Sequence, residues 1–363
     1  MPKFSRPVIA VTGSAGKTTT KEMIASILRT RWNIFKSHSN QNLPPSTRRH
    51  IKQIRKQDRA AVLEFGMLKP GHIKAHCKVI QPSIGVITNV GTAHIGNVGN
   101  RVEGIARAKS ELIRYMNPKG TLVVNADDRN SGLLATQDFQ GKRIRIGIRN
   151  KADYKAHSIH STRRGVSFRV RLDGKDTEFF IPCLGDHNVY NALNAIAVTH
   201  RLRFTAKEIK TGLARYPIPY RRLVRTELPN RVTLIDDTFS SNPNAAKAAL
   251  DVLASIGRQR TIAVIGYMKD LGDYAVKGHK DVGRHASRKR VTRLFTVGSL
   301  ARHIAQGAKE AGLPANRIRC FTSKPELHKA LAAAIKPDTA ILVKGTHLLK
   351  LEQTVAFLKK SKT

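Results

Sequence analysis

The stretch Val8-Ile-Ala-Val-Thr-Gly-Ser-Ala-Gly-Lys-Thr-Thr-Thr20 constrains this chain more than any other. Val8 to Val11 is a short apolar run that reads as a buried β-strand. Gly13, Ser14, Ala15, Gly16, Lys17, Thr18 and Thr19 form a small-residue turn, and Met23, Ile24, Ile27 and Leu28 follow at helical spacing. Strand, glycine turn and helix make the setting of a phosphate loop. Small residues let backbone N–H groups close around phosphate oxygens, and the helix N-terminus adds partial positive charge. In such a loop Lys17 reaches the terminal phosphates and the Thr18 hydroxyl faces Mg²⁺. The usual first glycine, five residues ahead of Gly16, is replaced by Val11. Placement directly after an apolar strand carries the reading, and a bound nucleoside triphosphate is expected.

A chain of 363 residues is long enough for two or three domains of roughly 150 residues each. Its 40% hydrophobic content supports real cores and excludes global disorder. No apolar run approaches the ~20 residues of a membrane span. The first seven residues reach the first strand without a secretory h-region, so a cytoplasmic protein is expected. Cys77, Cys183 and Cys320 are far apart and form no C-x-x-C pair; they read as reduced structural thiols. His72 and His76 read as solvated surface. Lys plus Arg number 65 against 25 acidic residues, a formal +40. Such a charge attracts polyanions. The basic residues are dispersed and aromatics are only 6%, which argues against a base-stacking groove.

Along the chain, apolar runs alternate with helical patterns. Strands are expected over 33–36, 59–66, 82–90 and 121–128, with a helix over 102–117 and an irregular, proline-bearing loop over 37–47. Glu64 falls at the carboxyl end of its strand, beside the phosphate loop in a doubly wound sheet. From about 143 to 184 the texture changes to alternation, as in Val166-Ser-Phe-Arg-Val-Arg-Leu172, and a small antiparallel insert is expected. A helix over 189–201 follows, capped by Asp186 or Asn188. The segment Tyr216-Pro-Ile-Pro-Tyr-Arg-Arg222 reads as a linker. Strands over 232–237, 261–266, 293–298 and 340–345 then alternate with helices. The fold class is therefore α/β: a P-loop, doubly wound sheet domain over 1–218, then a smaller Rossmann-like α/β domain over 219–363.

In this order and spacing, Thr12-Gly-Ser-Ala-Gly-Lys-Thr-Thr19, Glu64-Phe-Gly66, Thr88-Asn-Val-Gly-Thr-Ala-His94, Ala108-Lys-Ser-Glu111, His187-Asn-Val-Tyr-Asn191, Asp236-Asp-Thr-Phe-Ser-Ser-Asn-Pro243 and Lys344-Gly-Thr346 resemble the Mur ligase superfamily. The resemblance spans almost the whole chain. It implies ATP-dependent joining of a carboxylate to an amine through an acyl phosphate, with ATP and Mg²⁺ as cofactors. It also implies roles for individual residues. Glu64 and His94 match Mg²⁺ ligands beside Thr18, and Lys109 matches a lysine carbamylated in several relatives. Asn188 and Asn191, with His187 beside them, match the adenine side. Arg222 matches a linker arginine that reaches the ATP phosphates, Asp237 a nucleotide-side acid, and Lys344 a lysine facing the active cleft.

Gly266-Tyr-Met-Lys-Asp-Leu-Gly272 and the Asp-Asp…Asn-Pro segment resemble the branch that joins D-alanyl-D-alanine to a UDP-muramoyl tripeptide. The sequence has no counterpart of the family's amino-terminal UDP-sugar domain. It also carries Phe239-Ser-Ser-Asn-Pro243 where that branch has Tyr-Asn-Ala-Asn-Pro, and Lys344-Gly-Thr-His347 for Lys-Gly-Ser-Arg. The expected function is thus an amide ligase on some other carboxylate, with an amino-acid or dipeptide amine. The cell-wall ligase itself, and a P-loop NTPase bound to nucleic acid or another polyanion, remain the alternatives.

Overall fold

The computed structural model describes residues 4–360. The chain divides into two compact units, Met1–Pro219 and Tyr220–Thr363. The first is built on β1 (Val8–Thr12), whose five residues are all buried, followed by α1 (Lys17–Leu28). Next come β2 (Phe35–Lys36), α2 (Pro44–Ile51), β3 (Ala61–Glu64), α3 (His72–Val79) and β4 (Ile84–Ile87). α4 (Val102–Tyr115) leads to β5 (Thr121–Asn125), β6 (Lys142–Gly147), β7 (Tyr154–Thr162), β8 (Gly165–Leu172) and β9 (Lys175–Ile181). α5 (His187–Arg201) and α6 (Ala206–Ala214) close the unit.

All nine strands form one sheet in the order β2-β3-β1-β4-β5-β6-β7-β8-β9. Pairings from β2 to β7 are parallel, and β7, β8 and β9 are antiparallel. The alternating texture is therefore an extension of the main sheet. Val166, Phe168, Val170 and Leu172 point into the core while Ser167, Arg169 and Arg171 face out, as a one-sided strand requires. α5 is buried almost all round, as its Ala-rich sequence allows, and shares a core with α1 and α6. The chain leaves β1 toward β3 and leaves β4 toward β5. The crevice between the carboxyl ends of β1 and β4 is thus the switch point, the usual seat of a ligand in such sheets.

Part of the expected 37–47 loop is helical. Pro44 sits in the first turn of α2, where a fixed φ is pre-organised and the missing N–H costs nothing. Thr47 and His50 are buried by that helix. Unlike His72, which stays half-exposed, His76 also departs from expectation, because α3 turns it inward. Its ring is fully buried and stacked on Phe65 at 4.4 Å, with Thr47 Oγ1 at 2.7 Å from Nδ1 and Gly66 O at 3.0 Å from Nε2. Burial holds its pKa down at about 4.

The second unit comprises β10 (Val224–Leu228), β11 (Val232–Asp237), α7 (Pro243–Ser255), β12 (Arg260–Gly266), α8 (Ala275–Arg288) and β13 (Arg293–Val297). α9 (Arg302–Glu310), β14 (Ile318–Phe321), α10 (Lys324–Ala334), β15 (Thr339–Lys344) and α11 (Glu352–Lys360) complete it. The sheet order is β10-β11-β15-β12-β13-β14, parallel except for β10. The sequence pattern did not reveal β10, β14 or α10. β10 and β14 are short edge strands with charged residues, and α10 is announced mainly by its Ser323 cap and first-turn Pro325. Among the described residues no helix is long and apolar enough to cross a membrane. Cys77 and Cys183 are buried free thiols and Cys320 is an exposed one.

Candidate active site

The phosphate loop spans β1 and α1. Gly16 caps α1 with φ at 79°, and a Cβ there would lie 2.3 Å from Asn191 Oδ1; only glycine satisfies both conditions. Gly13 is equally constrained, its Cβ position falling 1.8 Å from Thr88 Oγ1. The segment after β4 clamps the loop. The Ser14 and Ala15 N–H groups donate to Asn89 Oδ1 at 3.0 Å each, and Thr88 Oγ1 donates to Ala15 O at 2.6 Å. Gly91 N–H donates to Ser14 Oγ at 2.9 Å. Thr88-Asn-Val-Gly91 is thus the scaffold that fixes the loop's shape. α1 opens with Lys17, Thr18 and Thr19 and no side-chain cap, so helix-initial N–H groups and the helix dipole meet at the loop. Lys17 Nζ spans the loop to Gly13 O at 2.8 Å.

Glu64 ends β3 and is buried to 2% exposure. Its Oε2 accepts from Thr18 Oγ1 at 2.9 Å, and its Oε1 accepts from Asn42 Nδ2 at 2.8 Å. A hydroxyl and a carboxylate held together beside a phosphate loop are hard oxygen donors, the chemistry that suits Mg²⁺. His94 is half-buried after β4, with φ at 61°, at the start of a short 3-10 turn. Among the described residues no three His, Cys, Asp or Glu side chains converge as a ready-made metal cluster.

Lys109 is no surface lysine. It lies on the buried side of α4 at 2% exposure. Burial pushes its pKa well below the ordinary lysine range, the Lys17 ammonium adds to this, and Asp128 acts in the opposite direction. Its neighbours in the Ala108-Lys-Ser-Glu111 segment fasten α4. Ser110 Oγ accepts from Ala135 N–H, and Glu111 accepts from Gly71 and Lys74 N–H at the start of α3.

Asn188 and Asn191 face α1 from α5. Asn191 Oδ1 accepts from Thr20 Oγ1 at 3.1 Å, Asn191 Nδ2 donates to Asn188 Oδ1 at 2.8 Å, and Asn188 Nδ2 donates to Leu184 O at 2.7 Å. These amides tie α5 to the phosphate-loop helix. His187 is the first residue of α5; Asp186 occupies the cap position without capping, its Oδ1 accepting from Ser161.

In the second unit, Lys344 at the end of β15 is fully buried. Its Nζ donates to Asp237 Oδ2 at 2.6 Å and to Ser240 O at 2.9 Å. Burial lowers the Lys344 pKa, and Asp237 opposes that shift. Arg222 is half-buried, donates to Ser240 Oγ at 2.8 Å and lies over the Phe239 ring at 4.6 Å. The adjacent Arg221 is a different residue physically. It is buried and bonds Thr238 Oγ1, Thr238 O and Glu352 Oε2 at 2.7, 2.8 and 2.6 Å. Asn242 caps α7 through Ala245 N–H, with Pro243 in the first turn, which explains the Asn-Pro pair.

Sequence reasoning missed Lys21 and Asn42. Lys21 lies one helical turn after Lys17 and is fully buried. Its Nζ donates to Ser37 O and Ser39 O at 2.9 Å each, and stands 3.2 Å from Glu22 and 4.0 Å from Glu64. Its spacing of four from Lys17 was the available signal, because i and i+4 share a helix face.

Residues 11–199 match the Mur ligase middle domain, and residues 221–347 match the Mur ligase glutamate ligase domain. The UDP-N-acetylmuramoyl-tripeptide--D-alanyl-D-alanine ligase of Bacillus subtilis (strain 168) is 33% identical over 96% of this chain and 75% of its own length. The crystal structure of MurF from Acinetobacter baumannii superposes with a TM-score of 0.91 at 29% identity, covering 99% of this chain and 78% of that one. The MurF ligase of Thermotoga maritima, solved in complex with ADP, shares the fold at a TM-score of 0.85 and 23% identity, over 98% of this chain and 80% of its own. The chain belongs to the Mur ligase family, ATP-dependent enzymes that form amide bonds.

Proposed function

We propose that this chain joins the carboxylate of a UDP-muramoyl tripeptide to the amine of a dipeptide, D-alanyl-D-alanine, in the cytoplasm. The phosphate loop, whose Thr18 hydroxyl is bonded to buried Glu64 with Lys109 buried nearby, supports the ATP chemistry, and the 33% identity to the dipeptide-adding ligase supports the substrates. A free carboxylate is a poor electrophile. Transfer of the γ-phosphoryl group of ATP to a carboxylate oxygen gives an acyl phosphate and ADP. The amine then attacks the acyl carbon, and phosphate leaves as the amide forms. The protein's share is positioning and charge neutralisation.

Lys17 and the first-turn N–H groups of α1 bind the phosphates, and Gly13 to Thr19 wrap them. Thr18, Glu64 and His94 would hold Mg²⁺, which when bound neutralises phosphate charge. Lys109 is a second support on the same side. Its lowered pKa favours the neutral amine, the form that captures CO₂ as a carbamate, and a carbamate would present an anion to a second cation. His187, Asn188 and Asn191 mark the adenine side, Arg222 is the cation for the ATP phosphates, and Asp237, paired with Lys344, is a nucleotide-side acid.

A second reading, an amide ligase on a different carboxylate, is favoured by Phe239-Ser-Ser-Asn-Pro243 and Lys344-Gly-Thr-His347, which depart from the dipeptide-adding branch. Phosphate release from ATP separates the readings. Stimulation by UDP-muramoyl tripeptide together with D-alanyl-D-alanine supports the first. Stimulation only by another carboxylate–amine pair supports the second. Stimulation by nucleic acid alone would sink both.

A further inference from the structure

The formal charge of +40 is far more than a ligase site uses, and the second unit gathers four of its cations at one place. Its parallel strands present Asp237 and Lys344 at their carboxyl ends. Their amino ends lie at the opposite edge of the sheet, and there Arg231 precedes β11, Arg260 opens β12, Arg293 opens β13 and Lys336 precedes β15. These four cations line one depression together with Ile262, Ala333 and Ala334.

The single carboxylate in the depression, Asp338, is already committed. It accepts from Gln259 N–H at 2.9 Å and pairs with Arg231 at 3.1 Å and Arg258 at 3.4 Å. The Arg231 side chain nonetheless keeps 70% of its surface in solvent, and Arg260 and Lys336 are exposed. Four cations against one occupied acid leave a strong positive excess in a concave site.

We propose that this depression is a docking site for the phosphate backbone of a single-stranded nucleic acid. Arginine forks match phosphate oxygens in pairs, and three of the four cations are arginines. A concave floor admits a strand and disfavours a flat lipid surface. No aromatic side chain lines the depression, so binding carries no base-stacking component and is insensitive to sequence. The site lies at the edge of the sheet away from Asp237 and Lys344, so its occupancy leaves ATP turnover unchanged.

The test is fluorescence anisotropy of a labelled single-stranded oligonucleotide of about 20 nucleotides with the full chain, between about 50 and 200 mM salt. A variant carrying Arg231→Gln, Arg260→Gln, Arg293→Gln and Lys336→Gln is compared with one carrying Lys155→Gln, Arg164→Gln, Arg171→Gln and Lys175→Gln on the exposed side of β7–β9. The two lose equal charge. The depression variant is expected to bind at least roughly 30-fold more weakly at low salt, with its salt slope reduced by about 3, at ~0.7 per phosphate contact. The control is expected to lose less than about fivefold. Single Arg260→Gln and Lys336→Gln variants, each expected to flatten the slope by ~0.7, cover any instability of the quadruple change. Equal losses in the two quadruple variants would show diffuse charge and overturn the proposal, as would binding to anionic vesicles or inorganic polyphosphate without binding to the oligonucleotide. ATP turnover of both variants, read in parallel, distinguishes this outcome from failure of the ligase reading.

Discussion

Arg221 and Arg222 are adjacent and equally basic, yet the structure gives them different surroundings. Arg221 is buried, and its guanidinium makes three bonds, to Thr238 Oγ1, Thr238 O and Glu352. Thr238 is itself fully buried, and its hydroxyl also donates to Asp236 at 2.6 Å. Arg221→Ala therefore strands a buried carbonyl and loses the Glu352 pair. At ~1.5–3 kcal/mol for a charge-assisted bond, and with the exposed side of Glu352 returning to water, the expected loss is about 3–4 kcal/mol. For a unit of this size that lowers Tm by roughly 10 °C. Arg222→Ala removes the bond to Ser240, whose hydroxyl can turn to water, and the contact over Phe239, among the contacts of a half-buried side chain. A smaller loss than for Arg221→Ala is expected, because water can reach the groups it leaves behind. Its effect belongs to turnover, which should fall about a hundredfold or more while ATP affinity stays within roughly tenfold, as for a contact that matters in the transition state. Thermal unfolding, ATP titration and single-turnover phosphate release on both variants decide the matter. An Arg221→Ala protein as stable as the parent would refute the burial argument. An Arg222→Ala protein with normal turnover would remove its nucleotide role.

Three further perturbations test other parts of the site. His76 has a folded pKa of about 4 against an ordinary 6.5, so the unfolded chain takes up a proton first as pH falls. Its stabilising contribution is complete above pH ~6.5 and is lost as pH drops toward ~4, on the order of 2–3 kcal/mol by pH ~4.5. His76→Gln, melted at both ends of that window, should lose correspondingly less than the parent; an identical loss defeats the assignment. Lys21→Met cuts two bonds to the loop that carries Asn42. The Mg²⁺ needed for half-maximal turnover should rise about tenfold while metal-free nucleotide binding holds; equal losses in both would mean a merely global effect. Lys109→Ala should lose turnover at least roughly a hundredfold, with partial rescue by acetate filling the space as an anion. Full activity of that variant would rule out an anionic support at Lys109.

The local order of the site was legible because its physics is local. A strand, a turn of small residues and a helix start are fixed within about a dozen positions, so Gly13 to Thr19 could be read directly. Apolar alternation likewise announced the strands of β8 and the α/β rhythm of both halves. Legibility failed where a residue's state depends on a partner far along the chain. His72 and His76 looked alike in sequence, but only the packing of α3 against Phe65, Gly66 and Thr47 buries His76 and keeps it neutral.

The same division separates what sequence determined from what tertiary structure decided. Sequence determined Lys17 and Thr18 in a phosphate loop and Glu64 at the end of a strand, because spacing sets local conformation, while Lys109 came from the family resemblance alone. Tertiary structure decided their electrostatics. It joined Thr18 to Glu64 across 46 positions, pinned the phosphate loop with Asn89, buried Lys109 next to Lys17, and gave Lys21 its carbonyl partners. It also sorted Arg221 into the core and left Arg222 half-buried, a distinction no spacing rule contains. Desolvation and hydrogen-bond satisfaction are properties of a folded neighbourhood, and they exist only once distant segments meet.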